Sequence, residues 1–147
     1  LTNFNYREDS YDTLAIEGTI NPNFCLGNMH IQDESIIIDL NGQVDYASDM
    51  RNFSFNTEIQ QLDFKALGWL PNGIDGIFSG SVDLALQGNN IDEMIGDLYI
   101  DKGTLITPGQ TYSFSSLSAQ SRLTNGLRIL NINSDMASCS TNLMDNF

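Results

Sequence analysis

IDGIFSGSVDLAL, Ile74 to Leu86, is the stretch whose reading decides the fold. Alternate residues place Ile74, Gly76, Phe78, Gly80, Val82, Leu84 and Leu86 on one face. Asp75, Ile77, Ser79, Ser81, Asp83 and Ala85 fall on the other. A period of two held through the whole run predicts a strand that is apolar on one side and wet on the other. At roughly 3.4 Å per residue it could reach about 40 Å, longer than the usual strand. Two glycines on the apolar face mark a bend or a close approach.

The same alternation recurs on both sides of this stretch. Phe4 and Tyr6 open a first strand; Leu14, Ile16, Gly18 and Ile20 share the face of a second, and Asn21-Pro22-Asn23 turns the chain. Cys25, Gly27, Met29 and Ile31 line the next strand, with His30 on its polar side, before Asp33-Glu34 turns again. Ile36, Ile38, Leu40, Gly42, Val44 and Tyr46 form a second long run, and Phe53, Phe55, Thr57 and Ile59 alternate after a polar loop. Leu62 to Leu70 alone has helical spacing, through Leu62, Ala66 and Trp69–Leu70, and reads as a short helix or turn that caps the structure. Downstream, Met94, Gly96, Leu98 and Ile100 share a face, Gly103 and Pro108-Gly109 break the chain, and Tyr112 and Phe114 supply one more strand. In Leu127 to Ser134, Leu130 and Ile132 share a face with Arg128 and Ser134, while Leu127 and Ile129 lie opposite. A bulge would explain that switch. The expectation is an all-β chain of about nine to eleven antiparallel strands, with little helix and no linker between domains.

Apolar-x-Gly-x-apolar, often followed by Asp or Asn, occurs five times, around Gly18, Gly27, Gly42, Gly80 and Gly96. The spacing is irregular, so this is not a fixed-period solenoid. Each glycine weakens an element interior by about 0.5–1 kcal/mol relative to alanine, and five on apolar faces call for a common cause. Two are open: a long sheet curving over on its concave side, or ordinary β-bulges in a sandwich.

The 147 residues are 41% hydrophobic and carry a net charge of −13, from 19 acids and 6 bases. That balance opposes nucleic acid, which needs a basic footprint, and opposes electrostatic docking on anionic lipid. It reads as a solvated, repulsive outer face. No apolar run approaches the roughly 18 residues of a membrane span, and no signal peptide is visible. Leu1 in place of methionine points to a fragment or a processed chain. Cys25 and Cys139 are either one long-range disulfide or two buried thiols, and leave the redox compartment open.

Chemistry-bearing patterns are scarce. His30 is the single histidine and sits on a polar face as a solvated residue. CxxC, HExxH, GxSxG and P-loop spacings do not occur. Gly88 to Glu93, GNNIDE, lacks the ligand spacing of a calcium loop. Asp33-Glu34 and Asp92-Glu93 are neighbours in polar turns rather than carboxylates in contrasting environments. No catalytic residue, metal ligand or cofactor is assigned, and an enzyme is not expected.

One ordered series of residues resembles a known family. Ile36-x-Ile38-Asp39-Leu40-Asn41-Gly42-x-Val44-Asp45, Phe53-x-Phe55, and Ile59-x-x-Leu62-Asp63-Phe64-x-x-Leu67 are followed by Gly80 through Asp92, then Gly96-x-Leu98-x-Ile100 and Leu130 through Asp135. Their order and spacing resemble the large TamB-like proteins of Bacteroidetes, in the AsmA-like group, and cover most of the chain. The resemblance implies a U-shaped β-sheet, the β-taco. Its apolar groove would span the periplasm, pass phospholipid between inner and outer membrane, and assist outer-membrane biogenesis, protein assembly and secretion.

The family's N-terminal membrane helix is absent here, as is the C-terminal domain that docks on an outer-membrane assembly barrel, so the chain resembles an internal piece of a longer protein. A further glycine-bearing strand is expected after Met136, yet Ser140 to Phe147 contains no glycine. The residues expected to line the groove are Ile16, Ile20, Ile36, Ile38, Leu40, Val44, Tyr46, Phe53, Phe55, Phe78, Val82, Leu84, Leu86, Leu98, Ile100, Leu130 and Ile132. The competing class is a structural β-sandwich, a scaffold or adhesin module whose apolar faces close on each other. A groove would instead leave several hundred Å² of apolar surface uncovered.

Overall fold

The computed structural model describes residues 2–6, 9–68, 75–89, 94–136 and 138–143, with side chains described within 13–136. Ten strands follow one another: β1 Thr2–Tyr6, β2 Asp9–Ile20, β3 Phe24–Gln32, β4 Ile36–Asp45, β5 Asn52–Asp63, β6 Ile77–Gln87, β7 Ile95–Ile106, β8 Thr111–Thr124, β9 Leu127–Ser134 and β10 Ser138–Leu143. They form one antiparallel sheet in sequence order, an uninterrupted meander. Each strand contacts only its sequence neighbours. The sheet therefore stays open, and among the described residues no second sheet covers it to make a sandwich.

The registers stack the alternating residues into rows across the strands. Ile16, Met29, Leu40, Thr57, Val82, Ile100 and Leu117 form one row. Gly18, Gly27, Gly42, Phe55, Leu84, Leu98, Ala119 and Ile132 form the next, and Ile20, Cys25, Val44, Phe53, Leu86, Gly96, Ser121 and Leu130 a third. On the opposite face runs a row of Glu17, Asn28, Asn41, Asn56, Asp83 and Tyr99. Period-two alternation has thus gathered apolar side chains into rows on one face from β2 to β9.

Among the described residues the buried hydrophobic side chains are Ile36, Ile38 and Leu62, at 2%, 9% and 8% exposure, with Phe78, Ile59, Phe64 and Leu67 packed around them. The chain exposes 9974 Å², whereas a compact globule of 16.3 kDa would expose about 7,500 Å². An excess of about a third is what an uncovered sheet leaves in water.

Three register shifts lie in line near the buried cluster. Gln60 is extra on β5 against β4, the same strand carries an extra residue against β6, and Lys102–Gly103 together face Gly80 across β6 and β7. Lys102 takes φ +53° to make that step. Such bulges bend a strand and sharpen its twist. Of the five motif glycines, only Gly80 sits at a bulge. Gly18, Gly27 and Gly42 lie side by side in an unbroken register. A Cβ on Gly27 would stand 2.8 Å from the Glu17 carbonyl oxygen, so close backbone approach, not bulging, requires glycine there.

Several sequence expectations need correction. Of the helix or turn expected from Leu62, the described residues form a turn: Leu62 and Asp63 end β5, and a single turn follows over residues 64–68. Asp63 Oδ1 accepts from the Lys65 and Ala66 amides at 3.0 and 2.9 Å, and Gly68 closes the turn at φ +62°. The turn still acts as a cap, because Phe64 and Leu67 lie on the buried cluster; Trp69 and Leu70 fall outside the described residues. Gly103 does not break the chain, since β7 continues through it to Ile106. The strand read at Tyr112 and Phe114 is the longest, 14 residues. Its hairpin to β9 turns at Asn125-Gly126, with φ of 53° and 76°. The bulge expected in Leu127–Ser134 is absent, for both of that strand's registers run unshifted. β10 forms without a glycine. Asn90 to Glu93 and Pro71 to Ile74 lie outside the described residues.

Candidate functional site

The apolar face makes the site. At its β2–β4 end the three aligned glycines contribute no side chain, leaving an open hollow of about 320 Å³. Ile16, Ile20, Met29, Leu40 and Val44 rise around it, Cys25 borders it, and Phe55 stands on the β5 side. Ile16 and Ile20 are 70% and 78% exposed, which leaves that rim facing solvent. Glu17 is the single charged residue along the hollow, and no cation lines it.

Of the residues expected to line a groove, Ile16, Ile20, Leu40, Val44 and Phe55 border this hollow. Phe53, Val82, Leu84, Leu86, Leu98, Ile100, Leu130 and Ile132 continue the same rows, half-buried, across β5 to β9. Ile36, Ile38 and Phe78 belong elsewhere: they form or flank the one buried cluster, beneath the capping turn. The capping turn is itself tied down. The Phe64 amide donates to the Gly76 carbonyl at 3.1 Å, and Lys65 Nζ pairs with Asp75 at 2.7 Å. That carboxylate holds the Lys65 ammonium above its ordinary value. Tyr46 lies one residue beyond β4, its amide donating to the Asn23 carbonyl at 2.8 Å.

Cys25, Met29 and Leu117 join the face without having been assigned to the groove. Cys25 and Met29 carried the signal, in the alternation of their strand. Leu117 did not, because its neighbours are serines. Cys25 is a free thiol, and Cys139 lies six strands away from the β3 neighbour β4, at β10.

On the wet face several acids have side-chain partners. His30 Nδ1 meets Asp39 Oδ1 at 2.6 Å, Ser81 Oγ donates to Glu58 at 2.6 Å, Asn56 Nδ2 donates to Asp83 at 2.6 Å, and Arg122 pairs with Asp97 at 2.6 Å. Directly opposed like charges destabilise a sheet, and here only Asp39 and Glu58 face each other, beside His30. Just past the end of β9, beside the first residues of β8, the Ser115 amide donates to Asp135 Oδ2 at 2.8 Å and holds that carboxyl below its ordinary value. Among the described residues no three His, Cys, Asp or Glu side chains gather closely enough to hold a metal ion. No described helix is long and apolar enough to cross a membrane. No family model, curated protein or solved structure matches the chain.

Proposed function

We propose that this chain is a module of a periplasmic bridge, holding phospholipid acyl chains in its apolar trough as they move between inner and outer membrane. In the full-length protein the bridge would be anchored in the inner membrane, and other parts would engage an outer-membrane assembly barrel. The observation that carries this reading is the uncovered apolar face, with Ile16 and Ile20 in water above a floor of glycine.

The kind of occupant follows from hydrogen bonding. Beneath the hollow, the amides and carbonyls of β3 and β4, and those of β2 that face β3, are committed to the ladders between those strands. A peptide laid across them would find no partners for its own backbone groups, at a cost of about 1–3 kcal/mol for each one buried. A hydrocarbon chain has no such groups and gains about 0.8 kcal/mol for every methylene it buries. The acidic outer face keeps the module soluble while contributing nothing to the transfer.

Lipid extraction and native mass spectrometry of the purified protein test the reading. Co-purified phospholipid, or uptake from mixed phospholipid vesicles, is expected. A protein that neither carries nor takes up lipid would refute it.

A further inference from the structure

The row Gly18, Gly27, Gly42 crosses three strands without a side chain, and its next member is Phe55. The Phe55 ring does not stand over its own strand. A Cβ added to Gly42 would meet Phe55 Cδ1, and would stand 2.6 Å from Cε1 and 3.4 Å from Leu40 Cδ2. The ring therefore lies in the notch that Gly42 leaves, at the β5 end of the hollow. Past it the row resumes with Leu84, Leu98, Ala119 and Ile132.

We infer that Phe55 is a stop: seated on Gly42, its ring closes the β2–β4 hollow and sets how much of an acyl chain the hollow accepts. The inference rests on the lipid reading above and divides the trough into compartments. A dry cavity of about 150 Å³ takes one benzene, so the roughly 320 Å³ hollow accommodates about a dozen carbon atoms. A headgroup stays outside, because nothing cationic lines the hollow to receive a phosphate.

The experiment measures binding of a lysophosphatidylcholine series of increasing acyl length, below its micelle-forming concentration, to the whole chain. For the native protein, affinity rises by up to about fourfold per added methylene and then levels off. In Phe55→Ala the rise continues to longer chains, while affinity for the shortest is unchanged. Phe55→Leu, which keeps an apolar side chain and protects the fold, levels off between the two. Levelling at the same length in both variants, or an equal loss at every length, overturns the stop and leaves the lipid reading intact. No binding of any length by the native protein refutes both, as does a concentration-dependent dimer that covers the hollow.

Discussion

An aspartate at position 38 and an aspartate at position 20 should have very different consequences, although both replace an isoleucine on the same face. Ile38 is 9% exposed within the buried cluster; Ile20 is 78% exposed at the rim of the hollow. Ile38→Asp forfeits most of the burial of an isoleucine, about 2 kcal/mol. It also leaves a polar group in an apolar site for about 1–3 kcal/mol more. The sum, about 3–5 kcal/mol, is a large share of the roughly 5–15 kcal/mol that holds a domain together. A fall in Tm of about 6–20 °C is expected at 2–4 °C per kcal/mol. Ile20→Asp has little burial to lose and should stay within about 0.5 kcal/mol of the native protein. Urea titration followed by far-ultraviolet circular dichroism measures both. If Ile20→Asp is as damaging as Ile38→Asp, the rim is covered in solution and the open trough is wrong.

Three other outcomes are expected. Gly96→Ala should destabilise by about 2–4 kcal/mol, since Gly96 sits at φ +151° and a Cβ there would press on the Ala85 carbonyl oxygen and stand 2.9 Å from Leu86 Cα; thermal melts would show it, and an unchanged Tm would contradict the β6–β7 register. Asp63→Ala should cost about 0.5–2 kcal/mol by uncapping the turn over the buried cluster, read as faster hydrogen exchange at the Ala66 amide. The Asp135 carboxyl is depressed from its ordinary 3.8 by the Ser115 amide. Its contribution is therefore complete above that value and is lost as pH falls through the lower folded value; the Ser115 amide resonance should titrate in that acid range, and Asp135→Asn should abolish the titration.

How far the sequence could be read varied with how strictly each strand alternated. β6 was legible because apolar residues at every second position leave one way to face a sheet. β8 was not: in Ser115-Ser116-Leu117-Ser118 the polar and small residues fall on both faces, so only Tyr112 and Phe114 stood out. Asn125-Gly126 was a readable hairpin signal, and it would have located both flanking strands. From the Leu62–Leu70 spacing the capping turn was legible, but its start was not, because Leu62 packs as a strand residue and only residues 64–68 coil. For the open apolar face, the glycine motifs pointed to β2, β3 and β4, the strands around the hollow. Their alignment needed the register, which places Gly18 against Gly27 and Gly27 against Gly42. Phe55 leaning onto Gly42 follows from a side-chain rotamer, which alternation does not encode.

The sequential strand order has a consequence for how such a protein changes over evolutionary time. Because each strand answers only to its two neighbours, inserting or deleting one hairpin disturbs a single seam and leaves every other pairing as it was. Strands lie about 4.8 Å apart, so each such event alters the reach of the trough by about 10 Å. Length becomes a quantity that can be tuned in even steps, independently of which side chains line the apolar face.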